Sequence, residues 1–527
     1  MTRSLVLAPR VSVARRPSGS RAPRLTACGL VLVALVSCAG APPPPPTAPP
    51  RPVAASRPAP APTVTPDASP IVPEAERWRS KPPAAGAAPE IVVPEIRQRR
   101  LANGLAVLVS ERHDQPVVSV RVALRAGTAD EPAGKDGLAD LTYELMLEGA
   151  GQLDGVALAD AFSEIGTSAS VETDRDGASF LVSVLSRNLD PALGLLSLVL
   201  GQPRFAPADF ARRQKEHVAN LTQALGSPDF LLAEATNAAV YGAAHPYGRP
   251  SSGTPATVRS LSLTDVRAFY GAHVGPRTTA VILAGDITLE QAQALAQKHF
   301  GRWRARAKPA PKPAAVRAQP RREVTLVPKP GLGQTFIAVG RAAIPAGHPD
   351  EWRLGVANVV YGGMFSSRLN MNLREAKGYT YGARATLAQR RGAGALLART
   401  SVQADKTGPA LREIFAEVAG LTQRPVTEQE LALARDGELR GVPGLFETGE
   451  IMAGIMASLF TLELPLDRVQ RRVRAYRDLT REQVQRAAQA YFVPGLMQVV
   501  LVGDPAVVKA QVPALGLGEI RRREPPR

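Results

Sequence analysis

Cysteine and histidine are scarce in this 527-residue chain, and each shortage removes a class of chemistry. Cys28 and Cys38 are the only cysteines. Beyond residue 38 there is accordingly no disulfide, no thiolate zinc cluster and no cysteine nucleophile. The six histidines, His113, His217, His245, His273, His299 and His348, include no pair four residues apart, so no helix offers two imidazoles on one face to a metal. Acidic residues are missing from positions 1 to 38, which carry six arginines. That leader supplies part of the formal net charge of +17, and eight more basic residues lie between Arg302 and Arg322 in a Pro- and Ala-rich stretch. The cations gather in a leader and a connector without a recognisable nucleic-acid-binding module, so nucleic acid is not expected as a partner. Apolar residues, by contrast, are plentiful at 45%, enough for two to four domain cores.

Arg3, Arg10, Arg15, Arg16, Arg21 and Arg24 precede the apolar run Leu25 to Val36. The run is too short to span a bilayer as a helix but suits the core of a signal peptide. It ends in Leu35-Val36-Ser37-Cys38, which resembles the bacterial lipobox, where the leader is cut before a cysteine that is then lipidated. The expectation is a bacterial lipoprotein, lipidated on Cys38 and facing the periplasm at the outer membrane, with residues 1–38 as its signal peptide. From Ala41 to Glu90 stand 17 of the chain's 48 prolines in a background of Ala, Thr and Ser, which cannot build a core. Residues 39–91 read as a disordered tether. Some 50 residues of polyproline II, at about 3.1 Å each, reach on the order of 150 Å.

From Ile96 onward the composition is globular, and it repeats. Leu263-Thr264-Asp265-Val266 through Val281-Ile282-Leu283-Ala284-Gly285-Asp286 matches Leu479-Thr480-Arg481-Glu482 through Val499-Val500-Leu501-Val502-Gly503-Asp504. Thr264 and Thr480 are 216 residues apart and Gly285 and Gly503 are 218 apart, so the repeat is long, drifts by two residues and reads as domain duplication. Within it, 117–124 and 178–185 have the pattern of strands. The run Pro191 to Leu200 reads as a helix, with Asp190 as cap and Pro191 at its first position. Thr427 with Glu430 and Thr480 with Gln483 are spaced as capping boxes, and Ser227-Pro228-Asp229 opens another helix. Strands and helices interleave in both halves, giving two α/β (α+β) domains, each a β-sheet packed by helices, joined by the basic stretch.

Several landmarks stand in one order along the two halves: Leu101-Ala102-Asn103-Gly104-Leu105, Ala126-Gly127-Thr128-Ala129-Asp130-Glu131 with Gly137-Leu138-Ala139, and His245-Pro246-Tyr247-Gly248-Arg249-Pro250. Further on come Gly362-Gly363-Met364-Phe365-Ser366-Ser367-Arg368-Leu369 and Leu373-Arg374-Glu375-Ala376-Lys377-Gly378-Tyr379-Thr380-Tyr381-Gly382. From Arg99 to Pro505 the chain resembles the insulinase/pitrilysin (inverzincin) family of metallopeptidases. The resemblance implies two homologous insulinase-type domains, 92–303 and 323–518, around a chamber for an extended peptide. A basic linker, 304–322, joins them, and a polar tail, 519–527, follows.

The family's zinc motif, H-x-x-E-H, places two His ligands on one helix face with a Glu general base between them, and a later helix adds a third ligand. At those positions this chain has Asp140, Tyr143 and Glu144. The later helix runs through Lys215, Glu216, Asn220 and Gln223, with neutral amides at the ligand positions. Tyr143 is no base near neutral pH, since a phenol ordinarily titrates near 10. Asp140 and Glu144 share a helix face and read as solvated or capping charges beside a buried stripe of Leu138, Leu141 and Leu145. No zinc is therefore expected on this chain.

The family's second-domain segment R-E-x-x-G-x-x-Y is kept as Arg374 to Tyr381, with Tyr379 as the alternative phenol. In the family this Arg and Tyr approach the zinc site, where they donate hydrogen bonds to substrate carbonyls and to the developing oxyanion. The bland reading is that Arg374 pairs locally with Glu375 or Asp350 while Tyr381 merely packs. Loss of the metal side with retention of the Arg and Tyr side implies the non-zinc subunit of a paired peptidase. Its partners are then a zinc-bearing homologue, an extended peptide and the membrane. The alternative is a peptide-binding or scaffolding lipoprotein without proteolysis, and a stand-alone peptidase is the third reading.

Overall fold

A computed structural model describes residues 74–80 and 90–525, apart from 309, 310, 312 and 318. The expected signal peptide, the Cys38 lipidation site and most of the tether lie outside the described residues. The chain divides into a unit ending at Ala85, in which the 3₁₀ turn Glu74–Ser80 is described, and a unit beginning at Gly86.

Within the second unit, the first half builds β1 (Arg97–Arg100), β2 (Ala106–Glu111) and β3 (Val117–Leu124). A small hairpin follows, β4 (Gly149–Ala150) with β5 (Leu153–Asp154), and then β6 (Ser170–Thr173), β7 (Ala178–Leu185) and β8 (Thr279–Gly285). The second half builds β9 (Val324–Pro328), β10 (Gln334–Ala342), β11 (Ala383–Ala388), β12 (Ala395–Gln403), β13 (Gln498–Gly503) and β14 (Ile520–Arg522). One sheet has the order β1-β2-β8-β3-β7-β6 and the other β11-β12-β10-β13-β9-β14. Read from opposite ends the orders coincide. β2 and β8 pair in parallel as β9 and β13 do, and β3 and β8 pair antiparallel as β10 and β13 do. Only the sixth strands differ: β1 runs antiparallel to β2, whereas β14 returns from the C-terminus parallel to β9.

The duplication is in constant register. Ser262 and Thr480 are the N-caps of Leu263–His273 and Arg481–Tyr491, each in a capping box with the residue three positions on, Asp265 and Gln483. The two caps, the two box partners, the strand starts Ala106 and Val324 and the glycines Gly285 and Gly503 are all 218 residues apart. The two-residue drift expected from the sequence disappears, because the look-alike Thr264 lies inside its helix while Thr480 caps its own. A second correction concerns Asp190. The helix Leu189–Gly201 begins directly behind the 3₁₀ turn Ser186–Asn188 and has no side-chain cap. Asp190 instead accepts from Lys298 Nζ at 2.7 Å and pairs with His299 Nε2 at 2.6 Å. The strands expected at 117–124 and 178–185, the Thr427 capping box and the Ser227 cap are present.

The two halves interlock. On β2, Val107 and Val109 face the first half's own helices, while Ala106 and Leu108 face the other way. That second face is covered by the second half's helix Gly449–Thr461, through Met452, Met456 and Phe460. Reciprocally, the first half's helix Pro228–Tyr241 lays Leu231, Leu232 and Ala235 on Val327, Ala338, Val500 and Val502 of the second sheet. With both faces covered, β8 and β13 are buried at every position and are apolar along most of their length rather than alternating.

A buried polar seam runs alongside. Arg391 Nη2 lies 3.2 Å from Asp130, the Arg391 amide donates to Asp176 at 3.0 Å, and the Tyr247 hydroxyl donates to Asp176 while accepting from the Gly392 amide. Among the described residues, no helix is long and apolar enough to cross a membrane.

Candidate functional site

The helix that carries the degenerate metal motif, Leu138–Met146, starts from Gly137, which has no side chain to cap it. Glu131 supplies the cap, its carboxyl accepting from the Ala139 amide at 2.8 Å and the Gly137 amide at 3.2 Å. Burial pushes that carboxyl up to about 9, against the amides that favour its anion. Arg249 in turn donates to the Glu131 and Pro132 carbonyls at 2.8 and 3.0 Å. Two of the sequence landmarks therefore serve to fix where this helix begins.

Leu138, Leu141 and Leu145 are buried, and so is Tyr143, with no exposed surface. Its hydroxyl donates to the Ala126 carbonyl at 2.8 Å, and its ring stands edge-on to Phe180 and Phe269 at centroid distances of 6.3 and 5.9 Å. Burial drives the phenol well above its ordinary value. At the position of the family's base the chain has a pillar of its core.

Asp140 and Glu144 are not the solvated or capping charges expected from the sequence; both are half-buried. Burial pushes both carboxyls above the usual range, opposed at Asp140 by the Ser252 and Thr173 side chains and the His217 ring, and at Glu144 by Arg213 and His217. Arg213 Nη2 lies 3.5 Å from the Glu144 carboxylate. His217 Nε2 lies 2.8 Å from the Ser252 carbonyl, which assigns the proton to that nitrogen.

Both partners come from the helix Pro207–Ala224. The amides considered from the sequence, Asn220 and Gln223, are exposed on that helix, as is Lys215. It is Arg213 and His217 that turn toward the motif. The spacing Arg213, His217, Leu221, ending in a buried leucine, was the signal that could have found them.

This donor set does not fit a zinc ion. The one imidazole spends its Nε2 hydrogen on a carbonyl, Glu144 faces a guanidinium, and the base position is enclosed in the core. Among the described residues, no three His, Cys, Asp or Glu side chains converge as a metal cluster.

The second half treats its motif differently. The chain widens into π turns at Val359–Gly363 and Met371–Ala376, a distortion often found at functional sites. Gly362 permits the first, since a Cβ there would stand 2.7 Å from that of Ala385. Asn370 braces the segment, donating to the Phe365 carbonyl at 2.7 Å and accepting from the Ala383 amide at 3.1 Å. Arg368 forks onto Glu430 at 2.6 and 2.8 Å.

Leu373 is buried, and its neighbour Arg374 points out, its guanidinium 4.8 Å from the centroid of the exposed Phe365 ring and 3.3 Å from Glu375. Asp350 is taken by Arg353 and Tyr491. Past Gly378, at φ +63, Tyr379 packs half-buried on the second core, whereas Tyr381 is 94% exposed and does not pack. Met371, at 41%, is exposed as well, so Phe365, Met371, Arg374 and Tyr381 all face outward. No hydrogen bond or ion pair among the described residues joins Arg374 or Tyr381 to Asp140, Tyr143 or Glu144.

Comparison with known proteins agrees with this architecture. Residues 106–250 match the family described as "Insulinase (Peptidase family M16)" and residues 260–438 the one described as "Peptidase M16 inactive domain". The chain is 26% identical over 375 residues to uncharacterised zinc proteases of Mycobacterium bovis and Mycobacterium tuberculosis, covering 70% of this chain and 83% of each relative. Its fold is similar to a peptidase M16 inactive domain from Pseudomonas fluorescens, with a TM-score of 0.73 and 24% identity over 78% of this chain and 98% of that one. A protease from Helicobacter pylori is similar at a TM-score of 0.74 and 21% identity, over 78% of this chain and all of that one (100%). With two matching sheets, the landmarks in order and both halves matched, the chain belongs to the insulinase (M16) family of peptidases.

Proposed function

We propose that the chain is the non-zinc subunit of an insulinase-family peptidase, lipid-anchored through Cys38 and facing the periplasm at the outer membrane. It lends Arg374 and Tyr381 to a zinc-bearing homologue that holds the metal and the general base. The chain's two domains are arranged around a chamber for an extended peptide, and the partner's metal acts on the peptide held there. In that chamber the Arg374 guanidinium donates to a peptide carbonyl, and the Tyr381 phenol donates to the oxygen on which negative charge develops.

The observation that carries this reading is the contrast between the two motifs. The zinc-motif positions are absorbed into the first half's packing, whereas Arg374 and Tyr381 are exposed on a braced segment that also exposes Phe365, under the Arg374 guanidinium, and Met371. Exposed aromatic, Arg and Met side chains along one segment are the composition of a protein contact rather than of ordinary surface.

The test is to purify the chain with and without a zinc-bearing homologue from the same genome. A stable complex in which peptide cleavage appears, or rises at least tenfold, supports the proposal. Two homologues that neither associate nor gain activity on mixing favour the non-proteolytic scaffold instead.

A further inference from the structure

Eight basic and no acidic residues occupy positions 302–322, a density that neither the fold nor the peptidase reading uses. The first of them do not trail as a loose connector. Asn103 Nδ2 donates to the Phe300 and Trp303 carbonyls at 2.8 and 3.3 Å. Ala307 is buried over Gly275, where a Cβ would come within 2.8 Å of the Ala307 methyl, and the Lys308 amide donates to the Ala272 carbonyl at 3.4 Å. Residues 303–308 are thereby held along the first half, with Arg304, Arg306 and Lys308 exposed and Trp303 half-buried.

With Arg277 these three cations rim a shallow cavity of about 850 Å3, and among the described residues no carboxylate lines it. Arg100 adjoins them: it donates to the Gly104 carbonyl at 2.7 Å, and Gly104 abuts the Arg277 side chain. None of the five is ion-paired among the described residues. Five like charges held side by side repel one another, and a plane of phosphates relieves that repulsion while offering guanidinium forks their preferred acceptors.

We propose that this face docks on a bilayer of anionic phospholipid. The inference rests on the membrane address read from the leader: a lipid on Cys38, joined to the body by the Pro-rich stretch expected to be a tether, would keep the body close to the surface that holds it. Trp303, which lines the same cavity, packs half-buried on the first half's core and holds this stretch in place. A nucleic acid is the poorer occupant, because no row of stacking aromatics accompanies the charges.

The test is hydrogen exchange on the full chain bound to vesicles of phosphatidylcholine alone or with about one-third phosphatidylglycerol. A charge near an anionic surface is worth about fivefold in binding. Backbone exchange at 303–308 is therefore expected to slow at least fivefold on the anionic vesicles, and to recover in 0.5 M salt. In Arg304→Gln/Arg306→Gln/Lys308→Gln the slowing is lost, while exchange in β8 stays unchanged and shows the fold intact. Equal exchange on both vesicles overturns the proposal, as does protection by a single-stranded oligonucleotide equal to that on anionic vesicles. Acylation of Cys38, read by mass spectrometry, reports separately on the address. An unacylated chain that is still protected keeps the docking face and sinks the address; an acylated chain without protection does the reverse.

Discussion

Tyr143 and Tyr361 stand 218 residues apart, at equivalent places in the two halves, and are exposed by only 0% and 2%. Each packs edge-on to a phenylalanine, Tyr143 to Phe269 at 5.9 Å and Tyr361 to Phe492 at 5.1 Å. Asp140 corresponds in the same register to the buried Asn358. The position where the family's zinc motif needs a base is thus filled in both halves by the same core phenol. The first half resembles the second at the very place where, in a catalytic member, the two would differ.

If Tyr143 is a core pillar, its variants sort by packing rather than by acid-base chemistry. Tyr143→Phe loses one buried hydrogen bond and is expected to cost about 1 kcal/mol. Tyr143→Ala leaves a cavity and costs about 3–5 kcal/mol. Tyr143→Glu, which restores the family's base in name, places a carboxyl between Phe180 and Phe269 and costs at least about 3 kcal/mol. Denaturant unfolding measures all three. A Glu variant as stable as the parent would mean that the side chain reaches water.

The seam between the halves predicts a second large effect. Arg391 is 4% exposed in its side chain and faces Asp130 and Asp176, exposed by 7% and 3%. Arg391→Ala strands both carboxylates and is expected to destabilise by about 3–5 kcal/mol. Asp130→Asn, which leaves Asp176 opposite the guanidinium, should cost clearly less.

A pH dependence follows from Glu131. Its carboxyl is raised from the ordinary 4.5 to about 9 in the folded chain. The folded state therefore holds a proton that the unfolded state releases, and this contribution is full below about 4.5 and lost as pH rises toward 9. Glu131→Gln keeps an acceptor for the Ala139 amide and removes the titration. Relative to the parent, the variant is expected to gain stability between pH 5 and pH 8, by at most about 1.4 kcal/mol per pH unit. Parallel stability curves for the two proteins would contradict this.

Arg374→Ala and Tyr381→Phe should leave the isolated chain's stability within about 0.5 kcal/mol of the parent, since both side chains are exposed. A larger loss in thermal unfolding would show a structural role instead.

Much of the architecture was legible because the cause was local. The strands at 117–124 and 178–185, and the caps at Ser227, Thr427 and Thr480, depend on residues within a few positions of each other. What escaped depends on partners far along the chain. Asp190 has the position of a cap, but Lys298 and His299 claim it from more than 100 residues away. Asp140 and Glu144 look solvated on their own helix until Pro207–Ala224 brings Arg213 and His217 across them. Tyr143 shows its burial only once Ala126, Phe180 and Phe269 surround it. On the second half, the local spacing from Arg374 to Tyr381 was readable, while the opposite fates of Tyr379 and Tyr381 needed the turn at Gly378.

The most direct measurement is the peptide-cleavage rate of a zinc-bearing homologue reconstituted with the parent chain, with Arg374→Ala or with Tyr381→Phe, at matched complex formation. Either variant is predicted to lower turnover by about a hundred- to a thousandfold, the usual effect of losing one oxyanion donor, with association unchanged. Full activity with both variants, or chelator-sensitive cleavage by the chain in the absence of any homologue, would contradict the account.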